Sequence, residues 1–462
     1  MFTSLFKRSN RASLPRVARL SSKVLHAAVD AHGAHAWAVL AREHGGSFVA
    51  STGELCTAEP ALVESFLMHR AHTEHRAKAY RLAAKAMPGA DGLLFQDGEP
   101  WKEQLRAVMP IFHHERIDAF AATVADTLRT FARRAPDGAD LYHAITEASA
   151  EIALKVLLGL DPASGPGLAV REQLVSYKLE TMRVDRSMRL DVLGGPPIEA
   201  VLAAPRVLRS MLTLRDRVAI IRDELARARR AGMLDDTIVA VANVAADEQR
   251  FADWINHLYG AYNAVDYELT AALVCLARAP EWIEALRDEL DAQPAAARAD
   301  HRSLAALPVL RAIVRETERV CPVANAVFRQ AGERFECQGE SFAEGTQVML
   351  NLYALMRHPD HWEEPDRFDP SRWIGEREAK IAERAFVPFL AGPRRCFGRT
   401  LAELVLHVGL STIVREFDVV ARADGVDVTG HFIPRFERPI AFELRERVSS
   451  PSSIGSRSAD RC

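Results

Sequence analysis

Apolar residues recur with the spacing of one helix face along most of the chain, and this pattern predicts a mostly helical protein. The predicted helices cover residues 22–43, 60–69, 99–108, 115–134, 142–159, 168–190, 205–231, 252–278, 281–291, 304–320 and 398–416. Strand-like alternation is confined to short segments at residues 47–51, 326–330, 346–350 and 435–444. We therefore expect a mostly α fold with small β-sheets, of the α+β class.

No internal repeat and no long linker divides the chain, so we expect one folded domain over residues 35–446. Residues 1–34 form an N-terminal extension in this interpretation. The Ser-rich residues 447–462 are expected to be a disordered tail. The Gly and Pro residues at 194–197 predict a mobile loop, of the kind that gates access to a pocket.

Composition narrows the class of protein further. The 462 residues are 48% hydrophobic and 26% charged, with a net charge of −3, which gives no general attraction to nucleic acid. We find no run of about 18 apolar residues that would predict a transmembrane segment. The first residues are too short in their apolar part for a signal peptide. Six scattered cysteines indicate free thiols in a reducing compartment, so we expect a cytoplasmic protein. We also expect a monomer.

Residues 389–398 contain one cysteine among glycines, with Arg394 two residues before Cys396 and Phe389 seven before it. A lone cysteine is more often a small buried apolar residue. Here Gly392 and Gly398 permit close approach of the backbone to a flat macrocycle. Backbone N–H groups of such a turn hold a thiolate, and an arginine pairs with a carboxylate. The segment therefore predicts a thiolate ligand to haem iron.

The pattern F-x-x-G-x-R-x-C-x-G is matched at every fixed position, and it resembles the cysteine-ligand loop of the cytochromes P-450, the haem-thiolate monooxygenases. The resemblance implies that haem b is the cofactor and that Cys396 is the metal ligand. Cysteine ligation donates electron density that favours O–O cleavage.

Two further segments resemble this family. Glu316 and Arg319 lie three residues apart on one helix face, as in the family's E-x-x-R helix. Phe368, Pro370 and Arg372 match its F-x-P-x-R segment. The resemblance implies a buried triad of Glu316, Arg319 and Arg372 that braces the cysteine loop.

The resemblance also implies which residues bind the haem propionates. Arg329 lies ten residues after Arg319, at the family's offset for a propionate-binding arginine, and Arg394 shares that role. Trp101 corresponds to the tryptophan of the family's W-x-x-x-R helix and has an indole N–H to donate. The arginine position of that motif is Leu105, and Arg106 follows it, so Arg106 takes the role if the helix rotates slightly.

The helix at about 252–278 is expected to line the oxygen side of the haem, and it departs from the family pattern. We align it by residues 276–281, which resemble the family's L-A-R-x-P-E helix exit. Gly260 and Ala261 then fill the small positions, Asn263 the acid position and Ala264 the alcohol position. An acid and a hydroxyl normally organise the water that delivers protons, and neither is present.

Three explanations remain open for the missing pair. The substrate supplies a hydroxyl or carboxylate, or Asp266 supplies protons, or the enzyme does not activate molecular oxygen. A shift of three residues is a further alternative, which places Asp266 in the acid position and Tyr267 in the alcohol position. We rank the unshifted alignment first.

The sequence therefore predicts a haem-thiolate monooxygenase that oxidises a small organic substrate, for example in secondary metabolism, with dioxygen and a separate ferredoxin or flavodoxin electron donor. Arg183, Arg186 and Arg189 suggest an anionic or carrier-bound substrate. The alternative is an isomerase, dehydratase, coupling enzyme or peroxide-dependent enzyme. A catalytically silent haem or recruitment module is a third hypothesis.

Overall fold

The computed structural model describes residues 17–32, 35–73, 77, 93, 95–192, 205–234, 248–294, 296–297, 300–381, 383–421, 428–429, 434–436 and 438–447. The loop at residues 194–197 and most of the two terminal segments lie outside the described residues. So do the side chains of Arg183, Arg186 and Arg189, although their backbone belongs to a described helix.

Helices form most of the described chain, as the sequence predicts. They are α1 Ser22–His32, α2 Ala36–Glu43, α3 Pro60–Met68, α4 Arg70–Thr73, α5 Gly98–Val108, α6 His114–Asp118, α7 Ala121–Arg134, α8 Leu141–Ala153, α9 Gly165–Val192, α10 Pro205–Arg230, α11 Glu248–Ala277, α12 Pro280–Asp291, α13 His301–Ala305, α14 Pro308–Val320, α15 Leu352–Leu355 and α16 Arg399–Glu416. A π-helix at Leu154–Leu158 extends α8.

The strands are short and form small sheets. They are β1 Ala18–Arg19, β2 Ser47–Val49, β3 Leu55–Thr57, β4 Ala326–Gln330, β5 Phe335–Cys337, β6 Glu340–Phe342, β7 Gln347–Asn351, β8 Phe417–Ala421, β9 Val428–Thr429, β10 Arg435–Phe436 and β11 Phe442–Glu446. One sheet has five strands in the order β1-β2-β3-β7-β4, and β5–β6, β8–β11 and β9–β10 pair separately.

Local sequence explains where several helices begin and end. Asp140 precedes α8 and its carboxylate accepts the Tyr142 N–H at 3.2 Å, which satisfies a donor at the helix start. Pro280 opens α12, where its missing N–H costs nothing, and it separates this helix from α11. The boundary between the two helices therefore follows from the proline.

The prediction of a mostly helical α+β protein is confirmed. Several boundaries differ, and strands β1, β3, β5, β6, β8 and β9 were not predicted. Residues 22–43, 115–134 and 304–320 each form two helices where one was predicted. The predicted strand 435–444 is divided between β10 and β11. Strand β3 was missed because its three residues are all buried and show no alternation of apolar and polar positions.

Two apolar cores hold these elements together. The larger surrounds α11 and α16, and the smaller lies against the five-stranded sheet. In the larger core, a Cβ added at Gly409 of α16 would lie 2.8 Å from Leu128 Cδ1 and 3.5 Å from Leu269 Cδ1. Gly409 therefore lets α16 pack closely against α7 and α11.

In the described part of the chain, no helix combines the length and the apolar character needed to cross a bilayer.

Replacing Gly409 by valine should destabilise the protein by overpacking, since Leu128 and Leu269 are completely buried. The matched control is Gly260→Val, because Gly260 has no neighbouring atom within 4 Å of an added Cβ. We expect Gly409→Val to lose ~1–3 kcal/mol more than the control in urea unfolding. Equal stabilities of the two variants would contradict the packing argument.

Candidate active site

The backbone of the cysteine loop is folded into a tight turn ahead of α16. The Cys396 N–H donates to the Phe389 carbonyl at 2.8 Å, and the Arg395 N–H donates to the Gly392 carbonyl at 3.2 Å. Gly392 has a φ of +68°, and a Cβ there would lie 2.2 Å from the Leu67 carbonyl oxygen. Only glycine fits this position, which explains the glycine of the motif.

The sulfur of Cys396 lies just before the first turn of α16. The N–H groups of Gly398 and Arg399 donate to it, and the positive end of the helix dipole is directed towards it. Burial raises the pKa of the Cys396 thiol more than these donors lower it. Because the side chain is nevertheless solvent-accessible, its accessible surface must face a recess within the protein.

Contacts with aromatic rings also hold the cysteine loop in place. The Phe397 ring packs edge-on against Phe112, with 5.0 Å between ring centroids. The Arg399 guanidinium lies 5.5 Å from the centre of the Phe389 ring. The loop is therefore held by side-chain packing as well as by its own hydrogen bonds.

Arg394 and Trp101 are brought together, as the resemblance implies. The guanidinium carbon of Arg394 lies 4.0 Å from the centre of the Trp101 ring. Arg394 is buried, and it donates to the Gln96 carbonyl at 3.0 Å and to the Asp97 carboxylate at 2.7 Å. Asp97 thus binds this arginine in the way that a propionate was predicted to do.

Arg329 and Arg106 occupy different environments. Arg329 is buried in β4 and its Nη1 donates to the Phe328 carbonyl at 2.9 Å. Arg106 is 69% exposed and pairs with Glu99 at 3.5 Å. It lies five residues after Trp101, so its side chain points away from Trp101 around the helix. The structure does not bring Arg106 to the predicted propionate site.

Glu316, Arg319 and Arg372 meet in a buried cluster. Arg319 Nε and Nη2 donate to the two Glu316 carboxylate oxygens at 2.9 and 2.8 Å. Arg372 Nε lies 3.4 Å from the same carboxylate. The Trp373 indole N–H also donates to it at 2.9 Å. This tryptophan directly follows the motif, and the sequence analysis did not identify it as a partner.

One face of α11 is directed towards α8 and α9. Asp266 is completely buried there and forms an ion pair with Lys178. Lys178 also donates to Thr146 at 3.0 Å, and its ammonium group lies 4.3 Å from the centre of the Tyr142 ring. Burial raises the pKa of Asp266 and lowers that of Lys178, so each charge depends on the other. The carboxylate is committed to this pair.

The opposite face of α11 carries Glu268, which the sequence analysis missed. Its charge acts on the Cys396 thiol and on Glu318 of α14. At 100° per residue, Glu268 lies about 40° from Ala264 and about 160° from Asp266 around the helix axis. Ala264 and Glu268 therefore share the face that looks towards the cysteine loop. The spacing of four residues between Ala264 and Glu268 is the sequence feature from which Glu268 could have been predicted.

The other predicted site residues of α11 differ in how deeply they are buried. Gly260 is exposed, and Ala264 is half-buried. The side chain of Ala261 lies outside the described residues. Asn263 is buried, and within the described structure its Oδ1 atom has no hydrogen-bond partner.

These residues fit a haem group. An accessible cysteine with two backbone N–H donors lies in a recess, and the face of α11 directed towards it carries the small side chain of Ala264. Arg329, Arg394 and Trp101 supply cationic and N–H donors of the kind that bind carboxylates. The Cys396 loop would hold the iron, and the propionates would share or replace the present partners of these donors.

Comparison with known proteins agrees with this geometry. The family model for Cytochrome P450 matches residues 225–430, which include Glu316, Arg319, Arg372 and Cys396. Probable cytochrome P450 4ac1 of Drosophila melanogaster is 28% identical over 49% of this chain and 44% of its own length. Cytochrome P450 3A15 of Cavia porcellus is 32% identical over 37% of this chain and 34% of its own length. The chain therefore matches less than half the length of these relatives.

The family match covers the helix with the Glu316–Arg319 pair, the segment of Arg372 and the whole cysteine loop, and the Glu316 carboxylate joins the first two of these parts. Members of this family bind haem b, for which the site has the required donors. The family-model match over residues 225–430 and the named relatives support the cytochrome P450 superfamily.

Proposed function

We propose that this protein is a haem-thiolate monooxygenase that oxidises a small organic substrate with dioxygen and electrons from a separate ferredoxin or flavodoxin-type donor. The observation that supports it most directly is the Cys396 loop, with the sulfur accessible and two backbone N–H groups directed at it. When bound, haem b supplies oxygen activation and its transfer to the substrate.

The protein's own residues orient the cofactor and limit the charge on the sulfur. The N–H groups of Gly398 and Arg399 draw electron density from the Cys396 thiolate, as do hydrogen bonds in other metal-thiolate sites. Arg329, Arg394 and Trp101 bind the propionates in this proposal. Arg394 then exchanges or shares its Asp97 partner with a propionate.

Glu268 is our proposed proton source, in place of the acid and alcohol that Asn263 and Ala264 replace. It is 2% exposed, on the same face as Ala264. Burial and the neighbouring Glu318 raise the pKa of Glu268 well above its usual range, which favours the protonated form of its carboxyl group. Asp266 is less suited to this role because its carboxylate binds Lys178 on the other face.

The second candidate is a haem-thiolate isomerase, dehydratase, coupling enzyme or peroxide-dependent enzyme. The observation that favours it is Ala264, which has no hydroxyl to organise water on the helix face towards the cysteine loop. The two candidates are distinguished by comparing turnover with redox partners under oxygen and turnover without any reductant. Product formed without any electron donor would exclude the monooxygenase.

The reduced protein with carbon monoxide should show the strongly red-shifted Soret band of a thiolate haem. Cys396→Ser should lose this band, because an alcohol does not supply the thiolate donor. Cys56→Ala is the control and should retain it, since Cys56 is buried in the smaller core. A histidine-type band in the unsubstituted protein would overturn the assignment of Cys396.

Glu268→Gln should uncouple oxygen consumption from product formation, because the amide cannot deliver a proton. We expect product per electron to fall ~10-fold or more, with a larger solvent isotope effect. Glu403→Gln is the matched control, since Glu403 belongs to the same acidic cluster but pairs with Arg399 at 2.7 Å. The carbon monoxide band should persist in both variants. Unchanged coupling in Glu268→Gln would rule out this proton source.

The free energy of unfolding should fall as pH rises, because the pKa of Glu318 is raised in the folded protein. Burial, together with the charge of Glu403, raises the pKa of Glu318 to about 8, whereas an unfolded glutamate titrates at about 4.3. The folded protein thus retains a proton that the unfolded chain has lost between these values. This contribution to stability is complete below the unfolded pKa and is lost as pH rises through about 8.

Glu318→Gln should therefore reduce the loss of unfolding free energy between pH 6 and pH 9, on the order of 1–3 kcal/mol in urea titrations. The control is Glu376→Gln at an exposed position, which should leave the pH dependence unchanged. The same slope in the Glu318 variant and the unsubstituted protein would contradict the raised pKa.

A further inference from the structure

Two cysteines meet where α11 and α14 end, away from the cysteine loop. Cys275 lies in the last turn of α11, and Cys321 directly follows α14, where its N–H donates to the Thr317 carbonyl at 2.7 Å. The two side chains are hydrogen-bonded to each other. Both residues are only partly buried, so a small reagent can reach them.

The surroundings make Cys321 the more acidic of the two thiols. The hydrogen bond from Cys275 lowers the pKa of Cys321 to about 7, and the Arg357 charge and a hydrogen bond from Tyr267 act in the same direction against burial. The pKa of the partner thiol changes in the opposite direction. The same hydrogen bond, together with burial, raises the pKa of Cys275 well above its usual range.

Arg357 is held beside Cys321 by the backbone. Its guanidinium donates to the Arg319 carbonyl at 3.3 Å and to the Val320 carbonyl, the last two residues of α14. It also lies 3.8 Å from the centre of the Tyr353 ring. Glu268 and Glu316 are the acidic groups whose charges act on this pair from α11 and α14. The cation is therefore fixed next to the sulfur by contacts that do not involve the thiol.

We propose that Cys275 and Cys321 form a site of reversible oxidation, at which a peroxide converts the two thiols into one disulfide. The Cys321 thiolate attacks one oxygen of the peroxide, the O–O bond breaks, and a sulfenic acid and hydroxide form. The Cys275 thiol then attacks the sulfenic acid sulfur and gives its proton to the oxygen, which leaves as water, while the hydroxide takes up a proton from the solvent. Two sulfurs lose one electron each, and the peroxide is reduced to two waters.

The described cysteines outside the cysteine loop are poorly suited to this chemistry. Cys56 and Cys337 are buried, and burial raises the pKa of the Cys337 thiol to about 11. Neither has a second thiol in hydrogen-bond contact among the described residues. Peroxide should therefore select the Cys275–Cys321 pair.

The disulfide would connect the end of the helix that lines the active site to the end of the helix that carries Glu316 and Arg319. It would close the loop of residues 276–320 and restrict the unfolded chain. It would also remove the thiolate that accepts a hydrogen bond from the Tyr267 hydroxyl group. The oxidation site is independent of the proposed monooxygenase activity, because neither thiol belongs to the cysteine loop.

The test uses the full chain loaded with haem, with its thiols reduced beforehand. Hydrogen peroxide is added at a few equivalents, free thiols are alkylated, and tryptic peptides are identified by mass spectrometry. We expect a cross-linked peptide that contains Cys275 and Cys321 and disappears on reduction. The Soret band is recorded in parallel, so that damage to the haem is measured separately from oxidation of the thiols.

Two variants distinguish the roles of the residues. Cys275→Ser should leave Cys321 as a sulfenic acid that dimedone labels. Tyr267→Phe should slow the alkylation of Cys321 at pH 7 by about threefold, because the thiolate loses a hydrogen bond. Cys56 is the internal control and should remain unlabelled throughout. Oxidation of Cys321 in the unsubstituted protein without the cross-link, or no oxidation of either cysteine, would overturn the proposal.

Discussion

The buried carboxylate of Glu316 is the interaction on which the rest of the site depends. It is completely inaccessible, and such a charge is tolerated only when donors surround it. Arg319 binds both of its oxygens, and Arg372 and Trp373 approach from a separate segment. Arg319 in turn donates to the carbonyls of Met356 and Pro365. One carboxylate thereby fixes an irregular segment that has little regular secondary structure of its own.

The long helix α11 shows how two faces of one element acquire different chemistry. Asp266 and Glu268 are two residues apart, and both are buried. Asp266 meets a lysine and forms an ion pair, whereas Glu268 meets other acidic groups, which together with burial raise its pKa. The same residue type would behave differently at the two positions, because the neighbouring helices supply charges of opposite sign.

A similar asymmetry divides the cysteines. Cys396 owes its environment to the N–H groups of its own turn, while Cys321 owes its acidity to partners on two other segments, α11 and the segment of Arg357. The first environment is local and follows the motif, and the second exists only because helix ends meet. This difference explains why a motif marks Cys396 as the candidate iron ligand but does not mark the two thiols of Cys275 and Cys321.

The sequence by itself determined the helical class, the cysteine loop and three members of the Glu316 cluster, namely Glu316, Arg319 and Arg372. These features depend on local periodicity, or on residues such as Gly392 whose backbone conformation permits no substitute. The tertiary structure decided what each side chain meets: it directs Arg106 to solvent, commits Asp266 to Lys178, and places Glu268 on the face of Ala264. Partners distant in sequence set burial and charge, and a single chain's pattern carries no record of which helices will pack together.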